Sequence, residues 1–325
     1  MGRRGSRGGM ASVRRAALTL PALLALLALF IGPAACGKAV EDGDAADAAA
    51  DDGGDVDAGD DDGGDAGADA ATDDASPRDT RGLVRIFARN YTDAGDNLIL
   101  SSTVTAGFGA YEDEDCAVEL AGTECQVLAC TERDPERPAP HAGAITVEAL
   151  QEVVLMPGSD GAYAPREVDT VVFSDGGMLS VLAVGGDVPA FDVTDMVAPY
   201  PIGFQSGVPT SAGPVKLSAA ADYALTWGGI EATDTVRIVL AGPRDGDGTR
   251  RLVSCSLGAG AGAVTIDSEK LQRLPVGDIA FEATTERSET IEAGDYTISV
   301  IAAVVARLGD DASGDWAAGT VLLGD

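Results

Sequence analysis

Short apolar runs recur along the chain from residue 81 onward, and Gly, Asp and Pro separate them. Several runs alternate apolar and polar positions, the repeat of two that a half-buried β-strand requires; Val236 and Val239 would then face opposite sides. The predicted strands are, in order, LILSSTVTAGF, AITVEA, EVVLMP, TVVFS, MLSVLAV, YALTW, VRIVLA, RLVSCS, AVTID, IAFEA and YTISVIAAVVA. Regular short strands with turns every 8 to 12 residues are typical of sandwiches, so we predict an all-β fold of one or two antiparallel β-sandwich domains.

Two turns and one helix are predicted between these strands. Glycine follows aspartate in residues 175–177 and again in residues 245–248, where hairpin turns need a positive φ. A short helix is predicted from Ser268 to Leu274, with Ser268 as its N-cap and Pro275 ending it. The run GAGAG, residues 258–262, lies between two strands, so we interpret it as a flexible hairpin and not as a phosphate-binding loop, which would lead into a helix.

A segment rich in Pro and Gly, residues 200–214, interrupts the β pattern. We therefore predict one β-sandwich domain over residues 81–203 and a second over residues 204–325, which includes a tail after residue 310. The strand spacing of the second part, with Trp227 in YALTW, resembles an immunoglobulin-like sandwich, a fold that hosts many functions. Whether residues 81–325 form one domain or two stays open.

The first 35 residues have the three parts of a secretory signal peptide. Five arginines and no acid occupy residues 1–15, an uncharged apolar run follows, and small residues precede Cys36. Pro33-Ala34-Ala35-Cys36 resembles the bacterial lipobox, although lipoboxes prefer an aliphatic residue where Pro33 stands. The resemblance implies cleavage before Cys36, a diacylglycerol on its sulfur and an acylated, palmitate-type amino terminus. An uncleaved membrane anchor and ordinary cleavage are the alternatives.

Residues 36–80 are predicted to be a lipidated, disordered linker. Between Glu41 and Asp74 there are fifteen acids and no base, and almost all other residues are Ala or Gly. Such a segment has too little apolar surface to fold, and its like charges keep it extended. Specific calcium binding is the alternative, but no Asp-x-Asp-x-Asp-Gly register followed by a bidentate Glu fits the stretch.

The charge and the order of segments bear on location and partners. The formal net charge of −31 repels phosphate backbones, so we expect no nucleic-acid partner. Signal, acidic linker and β region, with Gly185–Phe191 (GGDVPAF), together resemble uncharacterised envelope lipoproteins of myxobacteria, a group without an assigned activity. The expected partners are the membrane, through the lipid, and an unknown envelope or extracellular protein or glycan. Gly37 favours the outer membrane, with the β region facing the periplasm or the exterior.

Four cysteines remain after Cys36, and an even number in an exported protein predicts two disulfides among Cys116, Cys125, Cys130 and Cys255. Three connectivities are possible. If CQVLAC is a strand, the first and last of its residues lie roughly 17 Å apart on opposite faces, which disfavours Cys125–Cys130. One bond would then tie Cys255 to the first half of the region. A zinc site is the alternative, but the usual Cys-x-x-Cys spacing is absent.

No catalytic constellation is recognisable in the sequence. His141 is the only histidine, it lies in a loop-like context, and no Gly-x-Ser-x-Gly elbow accompanies it. The densest acidic cluster in the β region, Tyr111–Cys116 (YEDEDC), is interpreted as a solvated loop, with a cation site as the alternative. We therefore predict a non-enzymatic lipoprotein for binding or adhesion, without cofactor or metal. A structural subunit of an envelope complex and a hydrolase using carboxylates are the alternatives.

Overall fold

A computed structural model describes residues 80–92, 98–109, 114–133, 138–209, 213–228, 233–308 and 318–325. The predicted signal peptide, Cys36 and the acidic linker lie outside these described residues. The strands are β1 (Arg81–Thr92), β2 (Leu98–Phe108), β3 (Glu114–Leu120), β4 (Cys125–Glu132), β5 (Ile145–Glu148), β6 (Val153–Leu155), β7 (Arg166–Val168), β8 (Met178–Ala183), β9 (Phe191–Val197), β10 (Gly203–Ser206), β11 (Val215–Ser218), β12 (Tyr223–Gly228), β13 (Thr235–Arg244), β14 (Arg250–Gly258), β15 (Ala263–Ile266), β16 (Gly277–Ala293), β17 (Tyr296–Val305), β18 (Arg307–Leu308) and β19 (Ala318–Gly324). A 3₁₀ turn (Ala259–Ala261) and a helix, α1 (Ser268–Leu271), complete the described elements, so the predicted all-β class is confirmed.

The strands form three sheets. The large sheet has eleven strands, in the order β3-β4-β14-β13-β16-β17-β1-β2-β7, with β19 pairing to both β16 and β11. The β5 sheet has the order β6-β5-β8-β9, and the β12 sheet has the order β15-β12-β10-β18. Most neighbours are antiparallel, but β1 runs parallel to β17.

The first hydrophobic core lies between the β5 sheet and the strands β1, β2 and β17 of the large sheet. The inward residues alternate along each strand, as in Val84, Ile86 and Ala88 of β1, because successive side chains of a strand point to opposite faces. Phe108 anchors this core, with ring centroids 6.2 Å from Phe191 and 6.0 Å from the Tyr163 ring. Two apolar sheet faces thus form the layers of a sandwich.

The second hydrophobic core lies between the β12 sheet and the strands β13, β14 and β16 of the large sheet. Trp227 is only 4% exposed there, and its ring lies 5.8 Å from that of Phe204. Val236 belongs to this core whereas Val239, three residues later, does not, as the strand alternation predicts. The predicted antiparallel sandwich architecture is confirmed.

One long strand, β16, belongs to both cores. Its first half pairs with β13 and β19 and contributes Phe281 to the second core, and its second half pairs with β17 and contributes Ala293 to the first. The large sheet also pairs β4 with β14 and β1 with β17. Strands from both sides of the predicted boundary at residue 203 therefore share one sheet.

Four local predictions need correction. TVVFS forms no strand: Val172 and Phe173 are buried in a connection in which Val172 N–H donates to Ser102 Oγ at 2.9 Å. The helix is shorter than predicted and its N-cap is Asp267, because the Asp267 backbone is extended and its carbonyl accepts the first helical hydrogen bond, from Leu271 N–H. GAGAG carries the chain from the large sheet to the β12 sheet, so it is not a hairpin. The segment predicted as a tail contains β19, whose Val321 and Leu323 are buried.

Candidate binding surface

The outer face of the β5 sheet carries an unusual concentration of exposed apolar side chains. Nine large apolar residues are exposed in the described part of the chain, and five of them lie on this face or directly at its strand ends. The five are Val154, Met156, Met178, Leu182 and Val184. Single exposed apolar residues are ordinary, whereas a contiguous group of them marks an interaction surface.

The strand register places four of these residues on the same face of the sheet, on the two strands that flank β5. Thr146 lies opposite Val154 on one side and opposite Leu182 on the other, so the two apolar residues flank it at the spacing of adjacent strands, about 4.8 Å each. Val184 and Met156 continue the same alternation beyond the strand ends, and Val184 N–H donates to the carbonyl of Ala144. We call the set Val154, Met156, Leu182 and Val184 the apolar patch.

A crossing of two chain segments supports one end of the patch. Gly185 N–H donates to the carbonyl of Ala142, and Val188 N–H donates to that of His141. Gly143 lies beneath Val184 with a φ of +70°, and a Cβ there would come within 2.8 Å of Val184 Cγ2. Glycine is required at 143 by both its positive φ and this close approach.

Tyr163 closes this crossing from the core side. Its hydroxyl donates to the Gly143 carbonyl at 2.7 Å and accepts from Ala142 N–H at 2.9 Å. Burial raises the pKa of Tyr163 to about 12, because the charged phenolate would lose its hydration there. The patch thus lies on a rigid support whose polar groups are satisfied.

The segment that contains the apolar patch is strongly acidic. Residues 139–199 contain the β5 sheet, its connections and the strand β7 of the large sheet; they carry nine carboxylates against the guanidinium of Arg166, a net charge of −8 with His141 neutral. Two of the acids lie on the patch face itself, since Asp192 lies opposite Leu182 and Glu148 follows Thr146 by two residues along β5. Both side chains are exposed.

His141 lies in a loop, as predicted, and its side chain is 36% exposed. Its Nδ1 accepts from Gly143 N–H at 3.2 Å, and its Nε2 lies 3.6 Å from an Asp187 carboxylate oxygen. Gly186 passes so close to the imidazole that a side chain there would clash. These contacts give the GGDVPAF segment a structural role. Gly185 and Gly186 leave room for the two chain segments to pass close to each other, and Val188 and Phe191 are buried in the first core.

The acidic cluster Tyr111–Cys116 is only partly described, from Glu114 onward. The solvated-loop interpretation is wrong for Glu114, which starts β3, has a side chain only 3% exposed and pairs with Arg244 and Arg250. Two guanidiniums around one carboxylate compensate the charge that burial would otherwise leave unpaired. Glu114 also lies near Cys116 and Cys130, but the two sulfurs are bonded to each other, so the group is not a cation site.

The two disulfides predicted from the cysteine count are confirmed. They join Cys116 to Cys130 and Cys125 to Cys255, and each bridges two residues that lie directly opposite each other on paired strands. CQVLAC does form a strand, β4, and its two cysteines point to different partners. The second bond ties Cys255 to the first half of the β region, as expected.

A cavity of about 400 Å³ opens beside the second disulfide. Its lining includes residues of the edge strand β15 and the polar residues Glu124, Asp267 and Lys270. Lys270 Nζ lies 2.5 Å from an Asp267 carboxylate oxygen, so the cation within the cavity is already paired. The apolar patch is therefore the stronger candidate for a binding site, because the cation of this cavity already has a partner.

In the part of the chain that the structure describes, no helix is long and apolar enough to cross a membrane. No known family model and no curated protein matches the sequence. Several solved structures are similar to parts of it; one is the crystal structure of chicken CNTN1 FN1–FN3 domains, with 10% identity over 59% of this chain and 67% of that one and a TM-score of 0.17. Such a likeness bears on neither partner nor activity.

Proposed function

We propose that the protein is a non-enzymatic envelope lipoprotein that binds another macromolecule through the outer face of its β5 sheet. In this proposal the signal peptide is cut before Cys36, lipid on Cys36 holds the chain in the membrane, and residues 36–80 extend the β region away from it. The all-β fold is compatible with a binding or adhesion domain.

The apolar patch is the observation that supports binding. Four apolar side chains on the strands flanking β5 face solvent on a sheet whose other face is packed in the first core, so covering them would remove water from apolar surface at no cost in core packing. The patch is also held rigidly by the Gly143–Gly185 crossing, which lowers the entropy lost on binding.

Site-specific photo-cross-linking in the native envelope tests the surface. A photoreactive residue is placed at Leu182 in the full chain, and a matched one at Val276, which is also exposed but lies beyond the patch. We expect a discrete adduct from position 182 that disappears when Val154 and Val184 are both changed to Ser. Equal labelling from positions 182 and 276 would refute the patch as the binding surface.

The proposed lipid attachment at Cys36 is tested by the intact mass of protein extracted from membranes. The proposal requires a chain that starts at Cys36, carries acyl mass and gains about 4 Da when two disulfides are reduced. A chain that retains residues 1–35 would contradict lipid attachment and would indicate an uncleaved membrane anchor instead.

A structural subunit of an envelope complex is the second candidate, because two sandwiches joined through one sheet suit a rigid spacer. In that case the position-182 adduct would contain a partner at fixed stoichiometry that co-migrates on native gels. A carboxylate hydrolase would instead need activity that one pair of acid-to-amide substitutions abolishes.

A further inference from the structure

The partner of the patch can be narrowed by the charges on the same face. We infer, as an extension of the proposed function, that the β5-sheet face binds a polypeptide surface whose apolar centre is bordered by lysine or arginine side chains. The inference combines the apolar patch with the acids that border it.

The position of the acids carries the first step. Asp192 lies directly across the strand pair from Leu182, at the edge of the patch toward β9, and Glu148 lies on the same face toward the other end of β5. A partner that covers the patch must therefore bring its border within reach of both carboxylates. Complementary charge at such a border steers the encounter and disfavours acidic competitors.

The scarcity of compensating cations carries the second step. Residues 139–199 contribute one arginine, Arg166, and it lies in β7, which pairs with β2 in the large sheet and not with the β5 sheet. Neither Glu148 nor Asp192 can take its counter-charge from a base within the four strands of the β5 sheet, which contain none. A basic border on the partner supplies that charge.

The same charges argue against a second copy of this chain as the occupant. A symmetric dimer through the patch would bring two Asp192 and two Glu148 side chains into one interface. Like charges at close range oppose association, and the net charge of −31 on each chain adds to the repulsion. An anionic lipid surface is disfavoured for the same reason.

Two synthetic amphipathic peptides test the inference with the full chain. One has leucine on one helical face and lysine on the other, and its isomer has glutamate in place of lysine. Binding is followed by fluorescence anisotropy at low and at high salt. We expect the lysine peptide to bind and the glutamate peptide to bind at least roughly tenfold more weakly at low salt.

Matched variants separate the patch from general attraction to an acidic protein. Glu148→Gln with Asp192→Asn removes two charges from the patch face, and Asp247→Asn with Glu269→Gln removes two exposed charges outside residues 139–199. We expect the first pair to weaken binding of the lysine peptide roughly threefold to tenfold, and the second pair to leave it nearly unchanged. High salt should remove the difference between the two pairs.

The outcomes distinguish this inference from the proposed function. Equal effects of the two charge pairs, or no binding of the lysine peptide, would overturn the basic-border inference, while loss of the position-182 adduct with Val154→Ser and Val184→Ser would still support the patch. If both peptides bind equally and Leu182→Ser weakens both, the partner is apolar without a charge requirement. Self-association of the chain that Leu182→Ser abolishes would make a second copy the occupant and overturn the inference.

Discussion

At the scale of single residues, the fold depends on a few buried polar groups that the pattern of apolar residues does not predict. Tyr163 belongs to no strand, yet its hydroxyl satisfies two backbone groups of the crossing below the patch. Glu114 looks like part of a solvated run in the sequence and is instead buried between two arginines. Such roles could not be predicted, because both depend on residues that lie far away in the chain.

The Tyr163 hydroxyl can be removed with little change of shape. Tyr163→Phe leaves Ala142 N–H without its acceptor in a buried position, and we expect the free energy of unfolding to fall by about 1–3 kcal/mol. Urea denaturation followed by far-UV circular dichroism measures the change. Tyr200→Phe, at a partly exposed tyrosine, is the control and should cost less. Equal costs would mean that the crossing is stable without this hydroxyl.

Asp175 gives the fold a pH dependence of predictable sign. Burial raises the pKa of its carboxyl above the ordinary 3.8, and the Arg307 guanidinium 3.6 Å away lowers it by a smaller amount. The pKa of Asp175 is thus higher in the folded chain than in the unfolded one. Asp175 therefore stabilises the fold fully at pH values below the unfolded pKa, and this contribution is lost as pH rises through the folded pKa.

Asp175→Asn removes this titration. The free energy of unfolding of the variant minus that of the wild type should therefore increase as pH rises from about 3 to 7. Denaturation at a series of pH values, with Asp247→Asn as an exposed control, measures the slope. A difference that stays flat across this range would show that Asp175 titrates normally in the folded chain.

At the scale of elements, strands with regular alternation and hydrophobic centres are predictable, and strands defined by their neighbours are not. VRIVLA and YTISVIAAVVA are found as β13 and β17. The second half of β16 is rich in Glu, Ser and Thr and carries almost no apolar signal, yet it pairs with β17 residue for residue. Its strand conformation comes from the partner β17, which a single-segment pattern does not contain.

The apolar patch, like the second half of β16, could not be predicted from single segments of the sequence. The apolar content of MLSVLAV and EVVLMP predicts two strands, but that content alone does not say which residues face solvent. Both segments have apolar residues on both faces, and only the sheet order reveals that one face lies outside the sandwich. The only sign of the proposed binding surface in the sequence is therefore that these strands are more apolar than one buried face requires.

The disulfides differ in the length of chain that they close, 14 residues for Cys116–Cys130 and 130 residues for Cys125–Cys255. Because loop-closure entropy grows with loop length, replacing Cys125 and Cys255 by Ala should cost about 2 kcal/mol more than replacing Cys116 and Cys130. Guanidinium denaturation of the two double variants measures the difference. A larger loss from the short loop would show that local packing, not chain entropy, dominates.

At the scale of the whole molecule, the large sheet makes the two sandwiches dependent on each other. Residues 204–325 alone would lack β1 and β4, which would leave β17 and β14 with unpaired edges and part of the first core exposed. Edges of this kind promote aggregation. The predicted boundary at residue 203 can therefore be tested directly.

We expect a fragment of residues 204–325 to aggregate or remain unfolded under conditions in which the full chain folds. Size-exclusion chromatography and far-UV circular dichroism of both chains, under oxidising conditions, provide the comparison. Cys125→Ala with Cys255→Ala in the full chain controls for loss of the second disulfide. A monomeric fragment with cooperative unfolding would show that residues 204–325 are an independent domain.

The parallel pairing of β1 with β17 has a mechanical consequence. The chain enters the β region at Thr80, and β1 then runs between β17 and β2, with Arg81–Ala88 in register with Thr297–Val304. A pull on the chain at Thr80, along β1, would load the hydrogen bonds of both ladders together instead of opening them one at a time. If a partner holds the β5 sheet while the chain is pulled at Thr80, the hydrogen bonds of both ladders must therefore break together. We expect the fold to resist such a pull up to a high force and then to unfold in one step.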